Sequence, residues 1–383
     1  MDSGLHCYLH IPFCRARCPY CDFCLVTKQD LQDRFFSALE KETAARLSLL
    51  EGVVLKSVHF GGGTPSFVPV SYLESWLETL TKYVSLCDGA EIALEANPED
   101  LSIEKLRNLS ALGVNRLSIG VQSYMPEKLL ALGRCHNADE ALRTTGEAMN
   151  IFGNVSVDLI CGAEGETLDT WERDLRIALS GDVPHVSVYM LALEKKTLLD
   201  KQVRKRLVTL PGEKTQAAMY LKACELLEAD GFQHYEVSNF SKPGFFSRYN
   251  LACWQRESYL GFGPSAHTFM ADGVQELRSA NTSSLVRYIA GPCDALGFSE
   301  QLSDEARISE KIFLSLRLSS GLSVDDLLRY HEGSSLVLDA VDQLKEQGLV
   351  EICGEVIKVS RKGFLFADQV AEELMPAKTS RQL

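Results

Sequence analysis

Three cysteines near the start of the chain have a spacing that suits an iron–sulfur cluster. Cys14, Cys18 and Cys21 form a C-x3-C-x2-C pattern directly after a short apolar segment that predicts a strand. Thiolates are the usual ligands of such clusters, and these spacings let one loop reach three irons of a four-iron cube. The fourth iron then has no cysteine and stays open, in the way that a catalytic metal keeps an open position.

An open iron of this kind predicts chemistry on S-adenosylmethionine. The amine and carboxylate of the methionine part fill the open position, and one electron from the cluster cleaves the sulfonium to a 5′-deoxyadenosyl radical. A structural zinc site or buried inert thiols are the alternatives, but zinc usually requires a second pair of Cys or His, and none is evident. Cys24 could supply a fourth ligand and close the open iron; a partly buried bystander thiol is the favoured interpretation.

The elements that must position this loop alternate between strands and helices. Short runs rich in Val, Ile, Leu and Phe predict strands at 6–12, 57–62, 91–97, 116–123, 155–162 and 186–191. Amphipathic stretches between them predict helices at 30–50, 71–84, 103–112, 139–152 and 168–179. Six β/α units in succession predict a parallel sheet, which right-handed crossovers curl into a full or partial barrel.

Polar and glycine-rich segments stand at the carboxyl ends of these strands, where such architectures place their chemistry. GGGTPS follows the second strand, EANP the third, GVQS the fourth and DLICG the fifth. The glycines allow close approach of a ligand to the backbone, although a tight strand–helix turn would also use them. Glu95 ends an apolar strand, so its carboxylate needs a partner: the ammonium or ribose of a cofactor, or a neighbouring Arg.

The second half of the chain has a different pattern. A helix at 213–230 precedes the strand-like HYEVSNF and a loop over 241–267. Helices at 304–318, 323–332 and 337–347 and a hairpin at 349–363 predict a small winged-helix-like domain. We therefore expect a barrel with the cluster loop in 1–240, a connecting region that closes the site in 241–300, and the C-terminal domain in 301–383. The residues from 378 onward are expected to be disordered.

The overall composition excludes several classes of protein. The chain has 383 residues and a net charge of −13, which argues against a general affinity for nucleic acid. No apolar run is long enough to span a bilayer, and the first residues lack the pattern of a signal peptide. The sequence therefore predicts a cytoplasmic protein. In a reducing compartment, a tight group of cysteines indicates a metal site more often than disulfides.

The segment YLHIPFC with the three cysteines resembles the radical S-adenosylmethionine superfamily. More narrowly, it resembles the oxygen-independent coproporphyrinogen III oxidase family and its haem chaperone branch. The resemblance continues through FGGGTPS, EANP, NRLSIGVQS, VDLICG, HVSVYMLALE, HYEVSNFSKPG and YLGFGPSAH into KIFLSLRLSSGL, so it covers nearly the whole chain. It implies an α/β fold, a partial (β/α)6 TIM-like barrel with a small C-terminal winged-helix-like α+β domain.

The resemblance also implies which residues hold the two cofactors. The 4Fe-4S cluster would be bound by Cys14, Cys18 and Cys21. Contacts with S-adenosylmethionine would come from Tyr8, Tyr20, Gly62, Gly63, Thr64, Glu95, Gln122, Arg134 and Asp158. Tyr20 would pack on the cluster or the cofactor, and Arg134 has the alternative role of a surface ion-pair partner.

Three features favour the haem chaperone branch over the oxidase. The oxidase motif ends Cys-x-Cys, whereas Asp22 and Phe23 follow Cys21 here, and the short segment before Tyr8 and YEVSNFSKPG are typical of the chaperone branch. The resemblance therefore implies a protein that binds haem and transfers it to apo-proteins, with an electron donor as a further partner. A homodimer is compatible with the sequence. The alternatives are oxidative decarboxylation of coproporphyrinogen III to protoporphyrinogen IX, and radical chemistry on an unrelated substrate.

One segment departs from the pattern of that branch. The branch has a His-Asn-x-x-Tyr-Trp stretch, proposed to ligate haem, in which Tyr249 replaces the histidine here and Cys253 replaces the tyrosine. Tyrosine and cysteine can both serve as axial haem ligands. The segment therefore predicts a haem contact through Tyr249 or Cys253, or a structural loop with haem held elsewhere or not at all.

Overall fold

The computed structural model describes residues 4–48 and 52–376, so the expected disorder from residue 378 onward lies outside the described residues. The strands are β1 (Leu5–Ile11), β2 (Val54–Gly62), β3 (Ser85–Ala96), β4 (Arg116–Gln122), β5 (Val155–Cys161), β6 (His185–Met190), β7 (Gln233–Glu236), β8 (Asn239–Ser241), β9 (Tyr259–Phe262), β10 (His267–Ala271), β11 (Glu276–Asn281), β12 (Leu296–Gln301), β13 (Leu322–Ser323), β14 (Val350–Cys353) and β15 (Val356–Val359).

The α-helices are α1 (Gln32–Leu47), α2 (Val70–Thr81), α3 (Ile103–Ala111), α4 (Pro126–Ala131), α5 (Ala138–Phe152), α6 (Leu168–Ser180), α7 (Leu198–Arg204), α8 (Glu213–Ala229), α9 (Arg248–Trp254), α10 (Leu285–Ala290), α11 (Asp304–Ser315), α12 (Val324–Tyr330), α13 (Leu336–Glu346) and α14 (Ala367–Leu374). Short 3₁₀ turns occur at Pro65–Phe67, Pro98–Asp100, Pro292–Asp294 and Gly363–Phe366.

The central feature is a sheet in which β1 to β6 lie side by side, in chain order and parallel. This confirms the six predicted β/α units. In β5 every residue except Asp158 is buried, as expected for a parallel strand covered by helices. Every residue of β1 except Tyr8 is buried. Among the described residues, the full strand order is β12-β11-β10-β9-β1-β2-β3-β4-β5-β6-β8-β7, without closure into a ring.

The segment 241–267, predicted as a loop, contains α9 and β9, so that prediction is wrong. Strand β9 pairs parallel with β1, and β10, β11 and β12 extend the sheet antiparallel from there. The strand has only four residues and includes Gly261, which weakens its sequence signal. Glycine is required there, because a Cβ atom would lie 2.0 Å from the carbonyl oxygen of His267. The predicted strand HYEVSNF consists of the two short strands β7 and β8.

The C-terminal part has the predicted three helices, α11 to α13, and the predicted hairpin of β14 and β15. Strand β13 pairs with β15 to complete a small three-stranded sheet. Helix α14 was not predicted, although it buries Val370, Ala371 and Leu374 against this unit. No helix of the described residues combines the length and the apolar character that crossing a membrane requires.

A buried carboxylate ties α1 to the later part of the sheet. Glu42 has a side chain that is 1% exposed and lies 3.0 Å from the guanidinium of Arg46. It also accepts hydrogen bonds from the backbone N–H of Gly263 (3.0 Å), the amide of Asn281 (2.7 Å) and the hydroxyl of Tyr288 (2.6 Å). One side chain thus holds the segment after β9, the end of β11 and helix α10 to the first helix.

We expect Glu42→Ala to lower the free energy of unfolding by about 3 kcal/mol, because it removes the buried carboxylate that Arg46 and three further donors share. Urea denaturation followed by circular dichroism measures the change. Lys41→Ala, an exposed position on the same helix, is the control and should change stability by less than about 0.5 kcal/mol. Equal stability of the two variants would contradict the role given to Glu42.

Candidate functional site

A cavity of about 430 Å³ lies at the carboxyl ends of the parallel strands. The predicted site residues that line it are Cys14, Cys18, Tyr20, Cys21, Gly62, Gly63, Thr64, Glu95, Gln122, Arg134 and Asp158. Residues from different strand ends or the loops after them therefore meet at one place, as the strand order requires. The lining also includes residues that the sequence did not single out, among them Asn97, Ser118 and Tyr189.

The cysteine loop leaves β1 and folds back on its own base. The backbone N–H of Val26 donates to Pro12 (2.7 Å), and that of Cys14 donates to Val26 (3.0 Å). Cys14 is buried, whereas Cys18 and Cys21 are half-buried. Among the described residues, no three His, Cys, Asp or Glu side chains are grouped as around a single metal ion. Three ligands of a cube need not converge in this way, because each binds a different iron.

Burial also sets the protonation of two of these thiols. It raises the pKa of Cys14 to about 11, and it raises the pKa of Cys21 from its usual value. Both thiols are therefore protonated at neutral pH in the metal-free protein. Because metals bind the thiolate, cluster assembly must release these protons.

A chain of hydrogen bonds connects two of the cysteines across the cavity wall. The Thr64 hydroxyl donates to the Cys14 sulfur (3.3 Å), and the Asn97 amide donates to the Thr64 hydroxyl (3.3 Å). Arg134 donates to the Asn97 side-chain oxygen (2.5 Å) and lies 3.6 Å from the Cys18 sulfur. Arg134 is therefore directed into the site and is not a surface ion-pair partner.

Glu95 is anchored by groups other than the arginine considered from the sequence. One carboxylate oxygen lies 3.0 Å from the Nε2 of His59, and the other accepts the backbone N–H of Gly62 (3.2 Å). The side chain remains 40% exposed and can still accept a donor from the cavity. Gly62 has a φ of 107°, which side chains disfavour, and a Cβ atom there would lie 2.6 Å from the ring of His10.

Two polar atoms in the cavity wall lack partners in the part of the chain that the structure describes. They are Oε1 of Gln122 and Nε of Arg134, both buried. Gln122 also has a φ of 64°, an uncommon conformation for a residue other than glycine. Buried polar atoms normally have a hydrogen-bond partner, and strained backbone concentrates at functional sites. A polar ligand such as S-adenosylmethionine fits this wall, because it would supply both partners.

Cys24 points away from the cavity. Its thiol donates to the backbone carbonyl of Ser283 (3.1 Å), and its own carbonyl oxygen lies 2.9 Å from the Nε2 of His10. These contacts support the prediction that it is a bystander.

Tyr8 lies beside the cavity and stacks on Tyr249, with ring centroids 5.6 Å apart, and Tyr249 stacks in turn on His59 at 4.9 Å. Tyr8 and Tyr249 are therefore neighbours, a juxtaposition that the sequence did not indicate.

A second cavity of about 530 Å³ adjoins the first and shares Tyr189 with it. Its lining includes Glu236, Asn239, Cys253, Trp254, Arg256, Tyr259, Phe269, Arg278, Glu310 and Phe313. Burial raises the pKa of Cys253 to about 12, although a hydrogen bond with Tyr249 acts in the opposite direction. The two candidate haem contacts thus differ: Cys253 lines this cavity, whereas Tyr249 does not line it and forms a hydrogen bond with Cys253.

In the first cavity, the protonation of Asp158 makes the stability of the protein depend on pH. Its carboxylate accepts the Ser118 hydroxyl (2.9 and 3.0 Å) and the Ser156 hydroxyl (3.3 Å). Burial nevertheless raises the pKa of Asp158 to about 6. The folded state therefore favours the neutral acid. Its contribution to stability is present at low pH and is lost as the pH rises through about 6.

We expect Asp158→Asn to stabilise the cluster-free protein by about 1–2 kcal/mol at pH 7.5, because the variant removes a buried charge. The gain should shrink as the pH falls to 5, where Asp158 itself is largely neutral. Urea denaturation at both pH values measures it. Asp88→Asn, at an exposed position, is the control and should show no such change with pH. A gain that is constant from pH 5 to 7.5 would contradict the assignment.

Comparisons with known proteins agree with this geometry. Residues 8–178 match the model of the radical SAM superfamily, and residues 302–366 match the HemN C-terminal domain. The heme chaperone HemW of Bacillus subtilis is 34% identical over 95% of this chain and 97% of its own length. The HemW of Lactococcus lactis is also 34% identical, over 96% of both chains.

Two further relatives extend the comparison. The mitochondrial radical S-adenosyl methionine domain-containing protein 1 of Danio rerio is 40% identical over 73% of this chain and 64% of its own length. The solved structure of coproporphyrinogen III oxidase (HemN) from Escherichia coli superposes with a TM-score of 0.84 at 22% identity, over 98% of this chain and 90% of that one. The last likeness shows the fold alone. The chain belongs to the radical S-adenosylmethionine superfamily and, within it, to the family that includes the heme chaperone HemW.

Proposed function

We propose that the protein is a haem chaperone that binds a 4Fe-4S cluster and S-adenosylmethionine in the first cavity and haem in the second. The observation that carries the proposal is the contact between the two cavities at Tyr189. One cavity offers thiols and polar groups, and the other offers aromatic and basic side chains. Similarity to the heme chaperone HemW over 95% of the chain supports the same function.

In the first cavity, Cys14, Cys18 and Cys21 would hold the cluster. A cluster held by these residues would supply one electron for cleavage of the sulfonium of S-adenosylmethionine. Thr64 and Arg134 stabilise the sulfurs of Cys14 and Cys18 through the contacts described above. Glu95, which contacts His59, would accept the cofactor's ammonium group, since charged donors and acceptors form the stronger hydrogen bonds.

In the second cavity, aromatic side chains suit the flat, apolar face of a tetrapyrrole. Cys253 is the candidate axial ligand, because it lines this cavity and cysteine can ligate haem iron. Its raised pKa means that the thiol must lose its proton when iron binds. Tyr249 would assist this step as a positioning residue, since its hydrogen bond lowers the pKa of the Cys253 thiol.

The wider assignments follow from the same proposal. An electron donor and an apo-haemoprotein acceptor would be the macromolecular partners, and a homodimer would be compatible with transfer. Nucleic acid is not a proposed partner, given the net charge of −13. A cytoplasmic location is supported by the twelve cysteines, which are all free thiols, as expected in a reducing compartment. The three-part division at residues 240 and 300 stays a prediction.

The cluster assignment predicts that Cys14→Ala, Cys18→Ala and Cys21→Ala each lose most of the bound iron and sulfide after anaerobic reconstitution. Each variant removes one of the three thiolates that hold the cube. Iron and sulfide analysis with absorption spectroscopy measures the loss. Cys24→Ala is the matched control and should retain the cluster, because its thiol contacts Ser283 instead. Full cluster content in any of the first three variants would refute the assignment.

The haem assignment predicts that Cys253→Ala weakens haem binding about tenfold or more and shifts the Soret band, because an axial ligand is lost. Tyr249→Phe should have a smaller effect on affinity and should move the acid limb of haem binding to higher pH. A spectroscopic haem titration measures both effects. Cys293→Ala, an exposed cysteine, serves as control. An unchanged haem spectrum in Cys253→Ala would contradict ligation by this residue.

A turnover assay separates the chaperone from the oxidase. We expect the reconstituted protein to bind haem but to form no protoporphyrinogen IX from coproporphyrinogen III under anaerobic, reducing conditions with S-adenosylmethionine. Clear formation of that product would contradict the chaperone assignment. Release of 5′-deoxyadenosine without it would instead favour radical chemistry on another substrate.

A further inference from the structure

Two arginines in the wall of the second cavity already bind a carboxylate of this chain. We infer that Arg256 and Arg278 form a carboxylate-binding site, which Glu310 of α11 occupies in this structure and which a propionate of the bound tetrapyrrole takes over. The inference rests on the proposed function, since it names the group of the cargo that this cavity recognises. In this inference, Glu310 competes with the propionate for the two arginines.

The geometry of Glu310 is that of a carboxylate shared between two guanidinium groups. One of its oxygens contacts Nη1 of Arg256, and the other contacts Nη1 of Arg278. Planar guanidinium groups suit carboxylates in this way, and such charge-assisted pairs are the strong hydrogen bonds of proteins. The side chain of Glu310 therefore marks where a ligand carboxylate would be held.

Arg256 has features that a purely structural ion pair does not explain. Its side chain is only 9% exposed, its Nε atom is buried without a partner among the described residues, and its guanidinium lies 4.8 Å from the ring centre of Phe269. Its φ of 60° lies in the left-handed region, at the end of α9, where glycine is the usual residue. The chain thus keeps a long basic side chain at a backbone position that disfavours it, which points to a role for that side chain.

The surroundings suit a ligand that is apolar with an acidic edge. Tyr259, Phe269 and Phe313 line the same cavity as the two arginines, together with Cys253. The side-chain oxygen of Asn239, another lining residue, is also buried without a partner in the described part of the chain. A tetrapyrrole would place its ring against the aromatic side chains and its propionates towards the guanidinium groups.

The other carboxylates that contact Arg256 and Arg278 remain in place when Glu310 moves away. Arg256 also contacts Glu276, and Arg278 lies 2.7 Å from Glu300. Arg256 would therefore keep its contact with Glu276, and Arg278 its contact with Glu300. Both arginines would exchange Glu310 for the propionate. Because Glu310 belongs to the matched C-terminal domain, at 302–366, the exchange would break a contact between that domain and the sheet carrying Arg278.

The test compares haem with its dimethyl ester, in which both propionates are blocked, on the full-length, cluster-loaded protein. Titrations followed by absorption give the dissociation constants. We expect the wild type to bind the ester about tenfold more weakly than haem. Glu310→Gln should bind haem about tenfold more tightly than the wild type, and Arg278→Gln about tenfold more weakly, with ester binding unchanged in both. Glu300→Gln is the matched control, because this carboxylate pairs with Arg278 but does not line the cavity.

The possible outcomes separate failure of the proposed function from failure of the carboxylate site. If neither haem nor its ester binds the wild type, the proposed function fails and the inference fails with it. If both bind equally to the wild type, the propionates are not recognised and the inference alone is overturned; this comparison needs no variant. The inference is also overturned if excess S-adenosylmethionine displaces haem from the wild type but not from Arg278→Gln, because the arginines would then bind the carboxylate of that molecule.

Discussion

The position of β1 between β2 and β9, parallel to both, is the constraint on which the rest of the structure depends. It buries every residue of the strand except Tyr8 and fixes the point at which the cysteine loop begins. Because the neighbouring strands end at the same edge of the sheet, groups far apart in the sequence arrive beside that loop. Thr64, Asn97 and Arg134 belong to three different connections, yet hydrogen bonds join them into one wall.

The first cavity combines groups that are costly to bury in the absence of a ligand. Asp158 has a raised pKa, Gln122 has a strained backbone and an unpaired oxygen, and the Cys14 thiol is protonated well beyond neutral pH. Such features are tolerated where the surrounding fold is strong enough to impose them. The hydrophobic core to which β1 to β6 contribute provides that support. The sheet thus holds these groups in position, and a bound ligand would compensate the cost of burying them.

The parts of the fold that could be predicted are those with a long local signal. Strands β1 to β6 and helices α1, α2, α3, α5 and α6 have apolar runs or amphipathic periods that identify them, and their ends differ from the prediction by a few residues, except that β3 begins six residues earlier. Strand β9 was missed because it is four residues long and exists through its pairing with β1, about 250 positions away.

The same distinction applies to the site. The cysteines and the glycine-rich turn are visible as motifs, and eleven of the predicted residues do line the first cavity. The partner of Glu95 could not be predicted, because His59 is on the neighbouring strand and nothing in the sequence links the two. Tyr189 was likewise missed as a residue common to both cavities, since only the curvature of the sheet brings the second cavity next to β6.

The pairing of β1 with β9 also has a consequence for synthesis on the ribosome. His6 pairs with Tyr259, so one side of β1 has no partner until the ribosome has added about 250 further residues. At bacterial or eukaryotic translation rates this takes roughly ten to fifty seconds. During that time the nascent chain exposes an apolar strand edge, which is a template for pairing with other chains. A nascent-chain chaperone that covers this edge would therefore act on the segment next to the cluster loop.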